Sequence, residues 1–312
     1  MRRTNVFACI ASAILAVTWP VISPADAEDA KGFAFKDGDL VCFLGNTVIE
    51  RAQRYGHVEA ALTLAAASEG KSVRFRNLGW SGDTVFGHAR SYFGPPKEGF
   101  TRLSGHLEAM KPSVVMICYG ALNAFDSDPA ANDVFIAGYG TLLDMVEAKT
   151  GGARIVIMSP PPLENHGPPL PDQTEANRRL AETSGRLKAF AEERGAHFVD
   201  LFAAMSGSES AESLLTENGV HFTEEGYSVL AARLLEGLGL KAVTDPGAEF
   251  RGLVKAKNTL YFDKWRPANE TYLHGFRKHE QGQNAKEMAQ FDPFIDKAEK
   301  EISKAVKSLS KR

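Results

Sequence analysis

Five short runs, apolar or alternating, are separated by stretches of helical periodicity, and that alternation leaves few folds open to the chain. The runs are Leu40–Leu44, Ser72–Asn77, Val114–Tyr119, Ala153–Met158 and His197–Leu201. Val114–Tyr119 is continuously apolar, the pattern of a parallel strand covered on both faces. Between the runs, Val48 to about Ala67 places Val48, Ala52, Tyr55, Leu62 and Ala66 at helical spacing. Further helices are predicted at Gly99–Met110, Asp133–Lys149, Asp172–Arg194, Ser208–Leu215 and Glu224 to about Leu235, the last capped by Thr223. Strands that alternate with helices in this way predict right-handed βαβ units. The expected class is α/β, a three-layer parallel five-stranded sheet with helices on both faces.

A parallel sheet brings its strand ends to one edge, where ligands bind. Five apolar residues run into Gly45-Asn46-Thr47 and then into the first helix, so the Thr47 hydroxyl is expected at that edge. It also lies beside a helix N-terminus, which favours developing negative charge. Thr47-x-x-Glu50 reads equally as a capping box, a structural role compatible with a catalytic one. The other runs feed the same edge. Asn77-Leu-Gly-Trp-Ser-Gly82-Asp-Thr84 follows the second, Gly120-Ala-Leu-Asn123 the third, and Asn218-Gly-Val-His221 lies in a turn after the fifth. A hydroxyl, a histidine, a polar partner and backbone donors are what acyl transfer needs.

The four blocks, in this order, resemble the SGNH hydrolases, the GDSL-type esterase and lipase family, in a secreted branch whose first block reads Gly-Asn-Thr. The resemblance spans roughly residues 38–240. It implies a flavodoxin-like sheet and hydrolysis of small esters, acylated or acetylated carbohydrates among them, without metal or organic cofactor. It also implies Thr47 as nucleophile, His221 as general base, Asn218 as its orienting partner, and Gly82 and Asn123 at the oxyanion hole. Three positions depart from the family pattern. Thr47 stands for the usual Ser, Leu122 takes the strict Asn position with Asn123 one step late, and Asn218 replaces an Asp, with Glu217 adjacent. The departures keep a second reading open: an impaired relative that uses the fold to bind carbohydrate or another ligand.

The first residues read as a targeting segment. Arg2-Arg3 precede an apolar stretch from Val6 to Val21, and Ala25-Asp26-Ala27 fits a cleavage site, so 1–27 is expected to be a signal peptide. Export to the periplasm or medium follows, with no stable membrane span after cleavage. Cys42 and Cys118 sit inside predicted core strands and read as small buried hydrophobes, with no disulfide framework or metal spacing. A net charge of -3 without long charge blocks gives no sign of a nucleic-acid partner. The main domain is expected over 28–240.

Residues 241–312 form an extension. A helix is predicted at Glu249–Lys257 and another from about Pro293. Asn258–Gln290 shows little periodicity yet carries Trp265, Tyr272 and Phe276. An irregular stretch of that length is expected to be functional: wrapping the domain, closing over the site with Arg277–Asn284, or supplying a group from His274, His279 or Glu280.

Overall fold

The computed structural model describes residues 32–207 and 214–309. The expected signal peptide (1–27) and most of the expected helix at 208–215 lie outside the described residues. Gly32 to the C-terminus forms one compact unit, with no break at 240.

Five parallel strands, β1 (Leu40–Gly45), β2 (Arg74–Asn77), β3 (Val114–Cys118), β4 (Arg154–Met158) and β5 (His197–Val199), run in the order β2-β1-β3-β4-β5. Both flanking orders follow from right-handed crossovers on either side of β1. The fold is thus the α/β sandwich that the alternation predicts. Side chains alternate along the strands between two cores. Val41, Phe43, Val114 and Met116 pack with α1 (Thr47–Tyr55), α2 (His57–Ser68) and α7 (Glu224–Gly237). Cys42, Leu44, Val115 and Ile117 face α3 (Pro96–Met110), α4 (Ala131–Thr150) and α5 (Thr174–Glu193). Cys42 and Cys118 are free and buried, and burial pushes each thiol up to about 12. They are the inert core residues expected.

A short helix α6 (Leu201–Met205) follows β5, capped by Asp200, whose Oδ1 accepts the Ala203 N–H at 2.9 Å. The extension departs from expectation. A single helix α8 (Ala248–Trp265) continues eight residues past the predicted end. Short helices α9 (Glu270–Leu273) and α10 (Lys278–Gln281) and a 3-10 run at Gly282–Gln290 lead into α11 (Phe291–Leu309). Periodicity is hard to see in α8 because two of its buried positions are polar. Lys257 and Asn258 are 1% and 4% exposed, while Phe250, Val254 and Trp265 fill apolar contacts. Among the described residues, no helix is long and apolar enough to cross a membrane.

Candidate active site

Strand register puts the predicted blocks on one edge. Gly45 pairs with Cys118 and Phe43 with Asn77, so the residues that follow β1, β2 and β3 emerge side by side. The loop after β2 lies directly on α1. A Cβ on Gly79 would come within 2.4 Å of the Glu50 nitrogen, so only glycine permits the approach. The Asn77 amide fixes the same contact by donating to the Ile49 carbonyl at 2.7 Å.

Thr47 is the first residue of α1, and the N-cap is Asn46. The Asn46 Oδ1 accepts the Val48 N–H, and its carbonyl accepts the Glu50 N–H at 3.0 Å. The expected Thr47–Glu50 capping box does not form. The half-exposed Thr47 hydroxyl instead faces the loop after β2, where Oγ1 accepts the Gly82 N–H at 3.4 Å. Gly82 holds φ +74°, a left-handed conformation that side chains rarely adopt. Behind it, Asp83 and Arg90 are each 1% exposed. Asp83 Oδ2 accepts from Arg90 Nε at 2.6 Å and from the Tyr119 hydroxyl at 2.7 Å. Arg90 also donates to the Leu78 carbonyl at 2.7 Å, closing the loop on itself. The sequence shows Asp83 only as a polar residue of the Gly82 block; its pairing with Arg90 and Tyr119 needs the fold.

The histidine turn is held from three sides. Leu215 and Thr216 donate backbone N–H groups to the Glu164 carboxylate at 2.8 and 2.7 Å, and the Glu164 N–H donates to the Gly219 carbonyl at 2.9 Å. His166 Nε2 lies 3.0 Å from Glu164 Oε2 and 2.8 Å from Thr216 Oγ1. These donors hold the Glu164 carboxyl below the usual range, despite the opposing effect of burial. The Tyr227 hydroxyl donates to the Val48 carbonyl at 2.7 Å, tying α7 to α1. Arg51, one helical turn after Thr47, donates to both oxygens of Glu217 at 3.0 and 3.1 Å. Glu217 is therefore turned to Arg51. The i,i+4 spacing of Thr47 and Arg51 was the available clue.

Asn218 and His221 are in contact, with Asn218 Nδ2 3.0 Å from His221 Nδ1. The amide orientation is fixed, because Oδ1 accepts the backbone N–H groups of Val220 and His221 at 3.2 and 3.0 Å. An amide nitrogen only donates, so Nδ1 must accept and the ring proton resides on Nε2. Desolvation, aided by the Arg51 charge and opposed by Glu217, holds His221 below its ordinary value, which favours the neutral ring. Among the described residues, no hydrogen bond joins Thr47 to His221.

The third block forms a 3-10 turn, Ala121–Phe125. The Asn123 amide donates to Asn132 Oδ1 on α4 at 3.0 Å, while Leu122 is 50% exposed. Asn46, Gly120, Leu122, Asn123, Phe86, Val134 and the carboxylates Asp126 and Asp128 belong to the lining of one cleft of about 370 Å³. Residues of the extension do not line it. His274 faces a different cavity, with His106 and Trp265. Glu280 is ion-paired to Arg277 at 2.6 Å, and His279 lies 3.7 Å from Glu280. Phe276 packs edge-on against Phe93, with ring centroids 5.7 Å apart. Among the described residues, no cluster of His, Cys, Asp and Glu has the form of a metal site.

Comparison with solved structures identifies the fold. The chain is similar to a catalytic mutant of an acetylxylan esterase from Geobacillus stearothermophilus, at 20% identity and a TM-score of 0.52, over 68% of this chain and all of that one. It is similar to a GDSL-like lipase candidate from Parabacteroides merdae at 16% identity and a TM-score of 0.54, with the same coverage. A gut microbial diltiazem-metabolizing enzyme aligns at 19% identity and a TM-score of 0.52, over 66% of this chain and 48% of that one. No curated protein matches the sequence. The model of the GDSL-like Lipase/Acylhydrolase family matches residues 45–229, which include every block described above. With more than half of its length matched, the chain belongs to the GDSL-like lipase/acylhydrolase family of ester hydrolases.

Proposed function

We propose that the protein is an exported hydrolase of small acyl esters that turns over slowly through Thr47. The observation that carries the reading is the facing of the Thr47 hydroxyl and the Gly82 N–H across the β1 and β2 strand ends. Attack by Oγ1 on the acyl carbonyl expels the alcohol and leaves a threonyl ester, which water then hydrolyses. The Gly82 and Thr47 N–H groups, with Asn123 after a side-chain turn, are the donors for the oxyanion. His221 Nε2 is the acceptor for the Thr47 proton, so productive encounters use the minor tautomer with Nδ1 protonated. The Asn218 amide opposes that tautomer, and the γ-methyl of Thr47 restricts its rotamers. Both make turnover slow.

The neighbouring cleft of about 370 Å³, lined by Asn46 and Asn123 but not by Thr47, Gly82 or His221, has room for a small acyl or alcohol group, and its mixed lining of Leu122, Phe86 and two aspartates suits an acylated substrate with polar hydroxyls. The acetylxylan esterase among the structural neighbours makes acetylated carbohydrate the first substrate to try. Export to the periplasm or medium rests on the Arg2–Ala27 pattern.

One observation favours the second reading, a binding module. In the Nε2–H tautomer that the Asn218 contact imposes, His221 is a hydrogen-bond donor, suited to holding an acceptor oxygen without breaking a bond. Purified protein with p-nitrophenyl acetate and acetylated xylo-oligosaccharides, beside Thr47→Ala and His221→Ala, decides between them. Wild-type release above both variants supports the hydrolase. Release equal to Thr47→Ala, with oligosaccharide binding retained in calorimetry, supports the module.

A further inference from the structure

Three separate parts of the chain meet at one carboxylate. Glu50 lies on α1, one turn after Thr47, and is 7% exposed. Its Oε2 accepts the Ser81 N–H at 2.6 Å, immediately before Gly82. The same oxygen accepts from Arg266 Nη1 at 2.8 Å, 216 residues away at the end of α8. The Arg266 guanidinium lies 3.7 Å from the centroid of the Trp80 ring, and Trp80 packs on Trp265 with centroids 5.7 Å apart. The Trp80 N–H donates in turn to the Gly45 carbonyl at 2.9 Å. Gly79 and Trp80 are therefore buried between the nucleophile helix and the extension, and the exposed Ser81 and Gly82 follow directly from them.

A buried carboxylate without its cation carries a large desolvation cost. Removing the Arg266 charge therefore loosens the Glu50–Ser81 bond, and with it the peptide that presents the Gly82 N–H to Thr47. The stack on Trp80 makes the geometry specific to arginine, because a lysine supplies the charge without the planar fork.

We propose that Arg266 is a positioning residue for the oxyanion loop, so that the C-terminal extension is a structural brace of the active site. The kinetic part of this inference rests on Thr47 and Gly82 acting as nucleophile and oxyanion donor. The structural part does not.

The test uses the full chain with Arg266→Gln and Arg266→Lys, read by hydrogen exchange and by steady-state ester hydrolysis. In Arg266→Gln, the Ser81 and Gly82 amides exchange at least about tenfold faster while β3 amides keep their rates. In the same variant kcat falls about tenfold with KM within about twofold, a fraction of the loss seen when an oxyanion donor is deleted. Arg266→Lys recovers more than half of the exchange protection and sits between the two in kcat. Unchanged exchange at Ser81, exchange raised uniformly through the sheet, or a KM effect with constant kcat overturns the proposal. Thr47→Ala separates the two readings. Full turnover in that variant removes the nucleophile assignment, while the exchange result still judges the brace.

Discussion

Asn218 makes three hydrogen bonds, and together they decide which nitrogen of His221 carries the proton. Two backbone donors occupy Oδ1, so the amide presents N–H to Nδ1 and leaves Nε2 protonated. An aspartate in the same place keeps both backbone bonds and accepts from Nδ1, which frees Nε2 to take a proton. In serine proteases the reverse exchange costs about ten-thousandfold by the same tautomer effect. Asn218→Asp is therefore expected to raise kcat/KM for p-nitrophenyl acetate by about ten- to ten-thousandfold, and a lower rate would refute the assigned tautomer. Arg51 gives a second prediction. Burial and the Arg51 charge lower the His221 value, so the neutral base persists below the ordinary 6.5, and the acid limb of kcat/KM lies below that pH. Arg51→Gln removes a cation and leaves Glu217 unpaired. Both changes favour the imidazolium, so the limb moves to higher pH; a pH–rate profile that stays in place would exclude Arg51 as the cause. The facing of Thr47 and Gly82 was legible because each follows a strand that the apolar runs reveal. The amide orientation was not, since it depends on backbone donors of Val220 and His221 whose direction only the folded turn sets.

At the scale of elements, the least visible feature in the sequence is the seam between α8 and the sheet. Lys257 is 1% exposed and lies against Glu59 on α2 at 2.7 Å, with further bonds to the Phe75 carbonyl and the Asn258 side chain at 3.1 and 2.8 Å. Burial lowers the lysine value while the Glu59 charge raises it. A lysine in an amphipathic stretch reads as solvent-facing, so the pattern stopped predicting a helix at the residue that locks it in place. Capping misled for a related reason: Asn46 and Thr47 both suit an N-cap, and the Gly82 N–H beside Thr47 settles the choice only after β2 pairs with β1. Removing one partner of a buried ion pair costs about 3–5 kcal/mol, whereas replacing both with apolar groups is often neutral. Lys257→Met is thus expected to lower stability by that amount in urea unfolding, and Glu59→Leu combined with Lys257→Met to recover most of it. A loss in the double variant equal to the sum of the Lys257→Met and Glu59→Leu losses would show that the pair is not coupled.

For the whole molecule, the five strands and the three-layer α/β class were readable from apolar runs and helical spacing, while the strand order came only with the fold, and the boundary drawn at 240 marks no physical division. The extension contributes Trp265 to the core shared with α3, α4 and α5. It adds Phe250 and Val254 to a cluster with Ala60 of α2 and Ile302 of α11. Cutting after Leu240 therefore exposes one face of α2, removes the cation that pairs with Glu59, and strips the cover from Trp80. Together these losses approach the whole stability of an ordinary domain, about 5–15 kcal/mol. The full chain without its first 27 residues is expected to melt in one cooperative transition. A chain of residues 28–240 is expected to give no cooperative transition, or one at least about 10 °C lower, since 1 kcal/mol shifts the midpoint of a domain this size by only about 2–4 °C. Scanning calorimetry and near-ultraviolet circular dichroism on both chains check this. A truncated chain that melts as sharply and as high as the full one would show the extension to be an appendage and would remove the structural basis for the Arg266 brace.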